Sequence, residues 1–458
     1  MTTTAPAPSF TDLAAKLRGR VITATDADYD DLRRVFAGDV DSRPAAIARV
    51  ADAGDVAAVI AFARESDIDL AIRSGGHSNA GQSASEGGLV LDVRDLTSID
   101  LDVGGRTVWA GAGLTAMDLT NATTAHGLAV GFGDTGSVGI SGLTLGGGIG
   151  YLVRKHGLTI DSLLAAEIVT ADGETRLVDA THEPDLFWGI RGGGGNFGVA
   201  TRFKYDLADV SSVTGGMLVL PATPEVITGS VAAAKAAPEE LSAIINVMPA
   251  PPMTFLAEEH HGTLIVFAFI VHSGDAAAGA GAMEPFRTLA TPLADLLGPM
   301  PYASIYQPVD DTYRPKAVER SFFIDDVDLD AARRIVADLG ASDAELRAVQ
   351  LRVLGGAMAR VPAEATAFAY RTRPMLALVV SFHNGTREDR ARRLAWVDTL
   401  AGALGDYETS AYVNFLMEEG TSRVRAAYPG ETWKRLVELK RRYDPGNLFR
   451  GNQNIPPR

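Results

Sequence analysis

The residues best suited to chemistry lie in a short glycine turn in the first part of the chain. Residues 73–78 read Arg-Ser-Gly-Gly-His-Ser and directly follow a predicted strand over residues 70–73. A strand that runs into a Gly-Gly turn presents consecutive backbone N–H groups, which suit a diphosphate, and the serines add hydroxyl donors. His77 would then lie beside the bound group. Because Gly-Gly turns are common, a surface turn with a solvated histidine is the alternative interpretation.

Two further segments are rich in glycine. Residues 131–150 are nearly half glycine, and residues 191–198 read Arg-Gly-Gly-Gly-Gly-Asn-Phe-Gly. Glycine has no Cβ and tolerates positive φ, so these segments predict a backbone that lies close to an anion or a planar ring. A Rossmann-type nicotinamide site is the rival interpretation, but residues 146–150 read Gly-Gly-Gly-Ile-Gly and lack the spacing of that motif.

Other familiar catalytic groups are poorly placed. His260 and His261 are adjacent, so on a strand they would point to opposite faces and could not share a metal ion. His272 and His383 stand at predicted strand ends without an identifiable carboxylate partner. The Gly-x-Ser-x-Gly motif of many Ser/His/Asp hydrolases is absent from the sequence. We therefore expect no metal site, and we interpret the acidic pair at residues 418–419 as a solvated face or loop.

Composition limits the possible functions further. The chain has 458 residues, of which 46% are hydrophobic and 22% charged, as in soluble enzymes with one large core or two lobes. It contains no cysteine, which excludes disulfides and thiolate chemistry. A net charge of −15 disfavours nucleic-acid and anionic-membrane partners. The longest apolar run, residues 264–271, is too short to span a bilayer, and the first ten residues lack leader features, so we expect a cytoplasmic protein.

The predicted elements form an α+β pattern. Predicted strands, several of them separated by Gly, Asp and Ser turns, are residues 70–73, 88–92, 98–102, 107–110, 165–170, 174–178, 199–206, 264–271, 349–354 and 376–382. Predicted helices include residues 114–126, 184–188, 224–235, 328–339, 387–404 and 431–442. Glycine becomes less frequent after residue 211, where we expect a domain boundary.

Four motifs in this order resemble one flavoprotein family. They are Ser-Gly-Gly-His-Ser at 74–78 with Gly81, the glycines at 146–150, residues 191–199, and Tyr443-Asp444-Pro445 with Asn447, Phe449, Gln453 and Ile455. Together they resemble the berberine-bridge-enzyme-like branch of the vanillyl-alcohol-oxidase superfamily, its bacterial members in particular. The similarity is strong over residues 73–206 and 412–457 and weak over residues 215–352.

The resemblance implies a two-lobed α+β fold of the vanillyl-alcohol-oxidase type. Residues 1–39 would form a tail with a short helix, and residues 40–208 the FAD-binding domain. Residues 209–410 would form a substrate domain built on an antiparallel sheet. Residues 411–458 would return to the FAD-binding domain, so that the flavin lies between the two lobes.

The resemblance also implies FAD bonded covalently to His77. Many relatives form a second bond through a cysteine, but Thr135 stands at that position here, so we expect His77 to be the single link. Asn414 and Asn452 fall where relatives offer polar side chains to the flavin, although either could be a turn or cap residue. The implied cofactor-binding residues are Arg73, Ser74, Gly75, Gly76, His77, Ser78, Gln82, Asp134, Thr135, Ser137, Gly139, Gly142, Gly148, Gly150, Val199, Asn414 and Asn452.

The proton acceptor of the family is harder to locate in this sequence. The second phenol of the family's Tyr-x-Asn-Tyr segment is replaced by Phe415, and Val379 aligns with the usual Glu or Gln. The remaining candidates for an active-site phenol are Tyr151, then Tyr412 and Tyr370, each of which could instead be a core aromatic.

The resemblance implies an oxidase that takes hydride from a small alcohol or amine and reduces O2 to H2O2, acting as a monomer or homodimer. The absence of the usual bases keeps open a flavin-dependent cyclase, dehydrogenase or oxygenase of a natural-product pathway. A protein that retains flavin without turnover is a third interpretation.

Overall fold

The computed structural model describes residues 9–306, 310 and 312–458, so residues 1–8 of the expected tail lie outside the described residues. The first half of the chain supplies short strands. They are β1 (Arg20–Ile22), β2 (Ala46–Arg49), β3 (Leu70–Arg73), β4 (Leu89–Asp92), β5 (Ile99–Asp102), β6 (Thr107–Gly111), β7 (Leu128–Ala129), β8 (Leu163–Val169), β9 (Thr175–Asp179), β10 (Val199–Asp206) and β11 (Ala208–Asp209).

These strands form one mixed sheet and two antiparallel sheets. The mixed sheet has the strand order β1-β2-β4-β3. Its strands β2 and β3 run parallel to β4, and β1 runs antiparallel to β2. The second has the order β5-β6-β10-β8-β9, and β7 pairs with β11. The accompanying helices are α1 (Phe10–Ala14), α2 (Tyr29–Leu32), α3 (Ala53–Ser66), α4 (Ala116–Thr124), α5 (Ile140–Leu145), α6 (Val153–His156) and α7 (Pro184–Ile190).

The second half of the chain builds one large antiparallel sheet. Its strands are β12 (Val213–Pro221), β13 (Leu241–Pro249), β14 (Leu264–Ser273), β15 (Ala294–Asp295), β16 (Gly298–Pro299), β17 (Ala317–Ile324), β18 (Arg347–Val353) and β19 (Met375–Phe382). The order is β15-β12-β14-β13-β18-β19-β17, with β16 also paired to β12. Its helices are α8 (Pro224–Ala236), α9 (Ala276–Arg287), α10 (Leu329–Ala341), α11 (Ala357–Arg360) and α12 (Arg387–Leu404).

The two faces of this large sheet have different surroundings. Apolar side chains of one face, Val349 and Val379 among them, pack with Val226, Ile335 and Val397 from α8, α10 and α12. Side chains of a strand alternate between faces, so the neighbours of these residues point the other way, toward the first half of the molecule. That second face carries polar side chains and forms one wall of the cavity described below.

The structure differs from the expected elements in three places. The segment expected to be a tail contributes β1, which pairs with β2 and buries Ile22, because a strand of three residues is too short to show an alternating pattern. The expected boundary at residue 209 falls inside β11, and β12 begins at Val213. Helix α9 was not expected, since two glycines and Pro285 weaken its helical signal. Strand β10 and helix α12 have the predicted bounds.

The C-terminal segment returns to the first half of the molecule through a buried ion pair. After α13 (Thr421–Ala427), helix α14 (Glu431–Tyr443) ends with the Lys440 ammonium 2.8 Å from the Asp444 carboxylate, both essentially inaccessible. Lys440 Nζ also donates to the carbonyl oxygens of Asn196 at 2.9 Å and Phe449 at 2.8 Å. The pair therefore joins the C-terminus to the glycine-rich segment before β10.

Among the described residues, no helix is long and apolar enough to cross a bilayer.

Removing the carboxylate should destabilise this junction. We expect Asp444→Ala to lower the free energy of unfolding by about 3–5 kcal/mol, because it leaves a buried ammonium without its counter-charge. Glu438→Ala, on the exposed face of the same helix, serves as the control and should change it by less than about 0.5 kcal/mol. Urea unfolding followed by fluorescence measures both, and equal midpoints for the two variants would contradict a stabilising pair.

Candidate functional site

A cavity of about 450 Å³ lies between the glycine-rich loops and the polar face of the large sheet. This volume is in the usual range for small-molecule sites. The structure brings most of the sequence-predicted site residues to its wall. They are Ser74, Gly75, Gly76, His77, Ser78, Gln82, Asp134, Thr135, Gly139, Gly142, Val199, Tyr412, Asn414 and Asn452.

Two loops form one wall through direct backbone contact. We call residues 74–82 the histidine loop and residues 133–142 the glycine loop. A Cβ on Gly75 would lie 2.3 Å from the Gly139 nitrogen, and a Cβ on Gly139 would lie 2.2 Å from the Gly75 nitrogen. The hydroxyls of Ser74 and Ser141 donate to the same acceptor, the Ala112 carbonyl oxygen, at 3.0 and 2.9 Å. The loops can approach this closely only because both contact residues are glycine.

His77 is half-buried on the wall of the cavity. Its ring stacks on Phe36, with centroids 4.4 Å apart and planes 23° apart. Burial, helped by the positive charge of Arg314, lowers the pKa of His77 to about 4. The imidazole is therefore neutral at physiological pH, with a ring nitrogen lone pair available for bonding.

An ion pair connects the glycine loop to the large sheet. Arg352 of β18 lies 2.7 Å from the Asp134 carboxylate and also donates to the Ile149 carbonyl oxygen at 3.3 Å. Its guanidinium lies 4.9 Å from the centroid of the Phe415 ring, a cation–π contact. Because the Arg352 side chain is almost inaccessible, this pair fixes the distance between the two walls of the cavity.

Tyr412 and Asn414 form a hydrogen-bonded unit in the short 3-10 segment near residues 413–415. The Tyr412 hydroxyl oxygen accepts from the Gly148 N–H at 2.9 Å and from Asn414 Nδ2 at 2.9 Å. Asn414 Nδ2 also donates to the Leu143 carbonyl oxygen at 3.0 Å. Burial raises the pKa of Tyr412, so its phenol stays protonated at neutral pH.

The other two candidate phenols lie away from the cavity wall. Tyr151 is buried against Phe269, with ring centroids 5.0 Å apart, and burial raises its pKa well above the ordinary value. The Tyr370 hydroxyl donates to the backbone carbonyl oxygens of Thr409 at 3.0 Å and of Ala426, and its ring stacks on Phe323. Tyr151 therefore occupies the core position that was its alternative interpretation, and Tyr370 is a half-buried aromatic packed against the core.

Four predicted cofactor residues lie outside the lining of the cavity. The buried Arg73 guanidinium donates to the carbonyl oxygens of Ser83 at 2.8 Å, Arg33 at 3.2 Å and Leu32, and so holds both ends of the histidine loop. The remaining three, Ser137, Gly148 and Gly150, also lie outside the lining residues. At Gly150 a Cβ would lie 1.4 Å from the Phe132 carbonyl oxygen, so close packing alone requires glycine there.

Glu319 of β17 is a cavity residue that the sequence analysis missed. Its Oε1 accepts a hydrogen bond of 2.8 Å from Asn79 Nδ2, in the histidine loop, and its side chain is buried. Burial, with the nearby Glu419 charge, raises the pKa of Glu319 to about 7 although the Asn79 hydrogen bond acts against the shift. Strand β17 was not predicted, because the polar run Glu319-Arg320-Ser321 interrupts the apolar residues of its stretch, 317–324; Glu319 between apolar flanks was the available signal.

Three expectations about isolated groups were wrong. His383 has a carboxylate partner, since its Nε2 lies 2.8 Å from Asp39 of the N-terminal segment, which sequence separation concealed. Residues 418–419 lie in a loop, as one of the two alternatives expected, but Glu419 is not solvated, since its buried carboxylate lies 2.9 Å from Arg423. Val379 is not over the cavity, because a shift of one residue along a strand changes its face; its neighbour Leu378 lines the wall.

Two further features bear on metals. His260 ends a 3-10 turn and His261 follows it, so the assumption that they share a strand was wrong. Among residues 9–306, 310 and 312–458, no group of three or more His, Cys, Asp or Glu side chains is placed to hold a metal ion.

The cavity wall fits a flavin dinucleotide. Two buried atoms on the wall, Ser83 Oγ and Asn452 Oδ1, have no hydrogen-bond partner in the described chain, and a polar ligand can supply one. A Cβ on Gly142 or Gly195 would meet no atom within 4 Å, so these positions leave room beside the backbone for a bound group. Backbone amides of the two loops supply the donors that a diphosphate needs.

Comparison with known proteins gives the same cofactor. The model of an FAD binding domain matches residues 44–179, and the model described as berberine and berberine like matches residues 411–456. An FAD-linked oxidoreductase of Dictyostelium discoideum is 30% identical over 428 residues, 92% of this chain and 90% of the relative. The chain therefore belongs to the berberine-bridge-enzyme-like family of FAD-linked oxidoreductases.

Two bacterial comparisons extend this result. (R)-6-hydroxynicotine oxidase of Paenarthrobacter nicotinovorans is 28% identical, with 96% of this chain and 97% of the relative covered. The crystal structure of 6-hydroxy-D-nicotine oxidase from Arthrobacter nicotinovorans superimposes with a TM-score of 0.86 at 26% identity, covering 96% and 98% of the two chains. A variant of berberine bridge enzyme, 19% identical, shares the fold with a TM-score of 0.85 over 98% of this chain and 100% of that one.

The loop contact gives a direct test of the wall. We expect Gly139→Ala to lower the free energy of unfolding by about 1–3 kcal/mol, because its methyl group collides with backbone that cannot rotate away. Gly281→Ala, at an exposed position of α9 away from the cavity, meets no atom and should leave this free energy unchanged or raise it by up to about 1 kcal/mol. Denaturant titration of both variants gives the comparison, and equal stability would refute the backbone contact.

Proposed function

We propose that the protein is an oxidase that holds FAD through one covalent bond to His77 and oxidises a small alcohol or amine, with H2O2 as the second product. FAD supplies a hydride acceptor that O2 can reoxidise. The observation that carries the proposal is the neutral His77 imidazole on the wall of a cavity whose loops suit a dinucleotide. A neutral ring nitrogen can act as the nucleophile that such a bond requires.

The single attachment is supported by the residue types of the glycine loop, which forms the same wall as the histidine loop. Thr135 lies on the wall in the glycine loop, where many members of the family have a cysteine, and a hydroxyl does not replace a thiol in this bond. The sequence has no cysteine anywhere else to take that place. Stacking on Phe36 holds the His77 ring in one orientation.

The remaining wall residues would hold the cofactor by position. The histidine loop with Gln82 offers N–H and hydroxyl groups for the diphosphate, and the glycine loop lies where the ribityl chain and ring would pass. The Val199 backbone would contact the adenine side. Asn414 and Asn452 would donate or accept hydrogen bonds at the ring.

The sheet side of the cavity supports a small polar substrate. Glu319, Gln350 and Arg352 offer polar groups there, and Leu378 and Phe415 offer apolar surface. A compact organic molecule that carries a hydroxyl or amine fits such a mixed wall. The named activity of the bacterial relative, oxidation of (R)-6-hydroxynicotine, is of this chemical class.

The covalent bond can be tested by intact mass. We expect the denatured wild-type protein to be heavier than its polypeptide by one FAD and to keep its flavin absorption after acid precipitation. His77→Ala should lose both properties because it lacks the nucleophile, whereas His126→Ala, at an exposed position, should retain them. Release of all flavin from the wild type, or retention of the covalent flavin by His77→Ala, would exclude this linkage.

Peroxide yield separates the oxidase from the biosynthetic alternative. A flavin-dependent cyclase, dehydrogenase or oxygenase is favoured by one observation, that Tyr412 is held by two donors and Phe415 cannot ionise. For an oxidase we expect about one H2O2 per molecule of substrate oxidised, measured with a coupled peroxidase assay. A yield far below this ratio, with turnover intact, would favour the alternative.

A further inference from the structure

The cavity wall carries few side chains that could accept a proton. Among the described lining residues, those that titrate are His77, Asp134, Glu319, Arg352 and Tyr412. Under the proposed function His77 is committed to the cofactor. Asp134 is held in an ion pair with Arg352, and the Arg352 guanidinium keeps its proton.

Tyr412 is unsuited to the same task. Its oxygen already accepts two N–H groups, from Gly148 and Asn414, and burial raises its pKa. A general base needs a pKa near the working pH, and a buried phenol is far above it. The elimination leaves Glu319.

Glu319 is held in place by the histidine loop itself. Asn79, two residues after His77, donates to Glu319 Oε1 at 2.8 Å, and this is the only hydrogen bond that the described residues make to the carboxylate. Oε2 therefore accepts no hydrogen bond from the described residues. The carboxylate is joined to the segment that carries His77 while it lies on the substrate-domain side of the cavity.

We infer that Glu319 is the catalytic base of this enzyme, which takes the O–H or N–H proton of the substrate during its oxidation; this inference rests on the proposed function. The substrate C–H bond breaks and its hydrogen leaves with both electrons of that bond, which a bound FAD would accept. The O–H or N–H bond on the oxygen or nitrogen attached to that carbon also breaks, and its proton goes to the Glu319 carboxylate. The electron pair of this bond forms the C=O or C=N double bond. The substrate loses two electrons and two hydrogens in total.

The charges around Glu319 set the pH at which it can act. Burial is the largest influence and Glu419 adds to it, whereas Arg352 and Arg320 favour the carboxylate, so the pKa lies at about 7. Arg423 forms an ion pair with Glu419, and Asp398 forms one with Arg320. Each pair partly offsets the effect of the Glu419 or Arg320 charge on the pKa of Glu319. Glu319 is protonated below pH 7 and becomes a base as pH rises through that value; kcat/KM should therefore rise over the same interval.

Infrared difference spectroscopy of the holoenzyme tests the titration without a substrate. Between about pH 5 and about pH 9 we expect a carboxylic-acid C=O band that disappears with a midpoint near 7. Glu319→Gln should lack this band, and Glu418→Gln, an exposed acidic residue nearby, should keep it. No such band in the wild type, or an unchanged band in Glu319→Gln, would overturn the assignment.

Anaerobic mixing with a panel of small alcohols and amines tests the chemical role. For a compound that bleaches the wild-type flavin, we expect Glu319→Gln to bleach it at least about 100-fold more slowly and without the rise in rate near pH 7. Glu319→Asp, which keeps a carboxylate if the amide variant folds poorly, should keep a pH-dependent rise. Wild-type rates in Glu319→Gln would overturn the role of Glu319 alone. A wild-type flavin that no compound bleaches would instead overturn the proposed function.

Asn79 is a positioning residue in this scheme. Its hydrogen bond favours the charged carboxylate, so Asn79→Ala should move the midpoint of both the infrared and the kinetic titration to higher pH. A purely structural role would lower the rate at every pH and leave the midpoint in place, which would exclude this pairing.

Discussion

The contact between the Gly75 and Gly139 backbones determines the shape of the site. No side chain separates the histidine loop from the glycine loop, so their amide groups line one continuous wall. His77 follows two residues after this contact, and Gly76 between them has a φ of +73° that a larger residue would adopt only with strain. Because Arg73 anchors the loop from behind, the direction in which His77 leaves the wall is set by buried backbone contacts.

The opposite wall depends on the alternation of side chains in the large sheet. One face is apolar and covered by α8, α10 and α12, which stabilises the sheet through burial. Glu319, Gln350 and Arg352 lie on the other face, so their polar groups do not interrupt the apolar core beneath the helices. A buried carboxyl such as Glu319 costs stability when ionised, and groups of this kind are found where catalysis requires a pKa near neutrality. The Asp134–Arg352 pair then holds the two walls at a fixed separation.

The sequence predicted the wall formed by the histidine and glycine loops better than the wall formed by the large sheet. Glycine loops are local signals, so His77 could be placed beside a bound group from its neighbouring residues, and the family resemblance carried by these loops added Thr135 and Gly139. Which residues lie on the wall formed by the large sheet depends on which strands pair and on the register of each pair. Val379 and Leu378 show the consequence, since one position along β19 separates a core residue from a cavity residue. Glu319 could not be found in this way because β17 pairs with β19, a strand that lies about 60 residues later in the chain.

Long-range pairs explain the remaining differences. His383 and Asp39 are 344 positions apart in the sequence, and Lys440 reaches the Asn196 carbonyl oxygen over 244 positions. Neither contact has a local signature. The first pair joins the N-terminal segment to the end of β19, and the second joins α14 to the glycine-rich segment before β10, so segments that are far apart in the chain are held together.

Tryptic peptide mapping of the purified yellow protein tests the central claim most directly. Cleavage after Arg73 and Arg94 releases residues 74–94, in which His77 is the single histidine. We expect this peptide to carry the mass of the flavin, with fragment ions that locate it on His77. An unmodified 74–94 peptide from fully flavinylated protein, or flavin on any other peptide, would contradict the attachment and the orientation of the cofactor that depends on it.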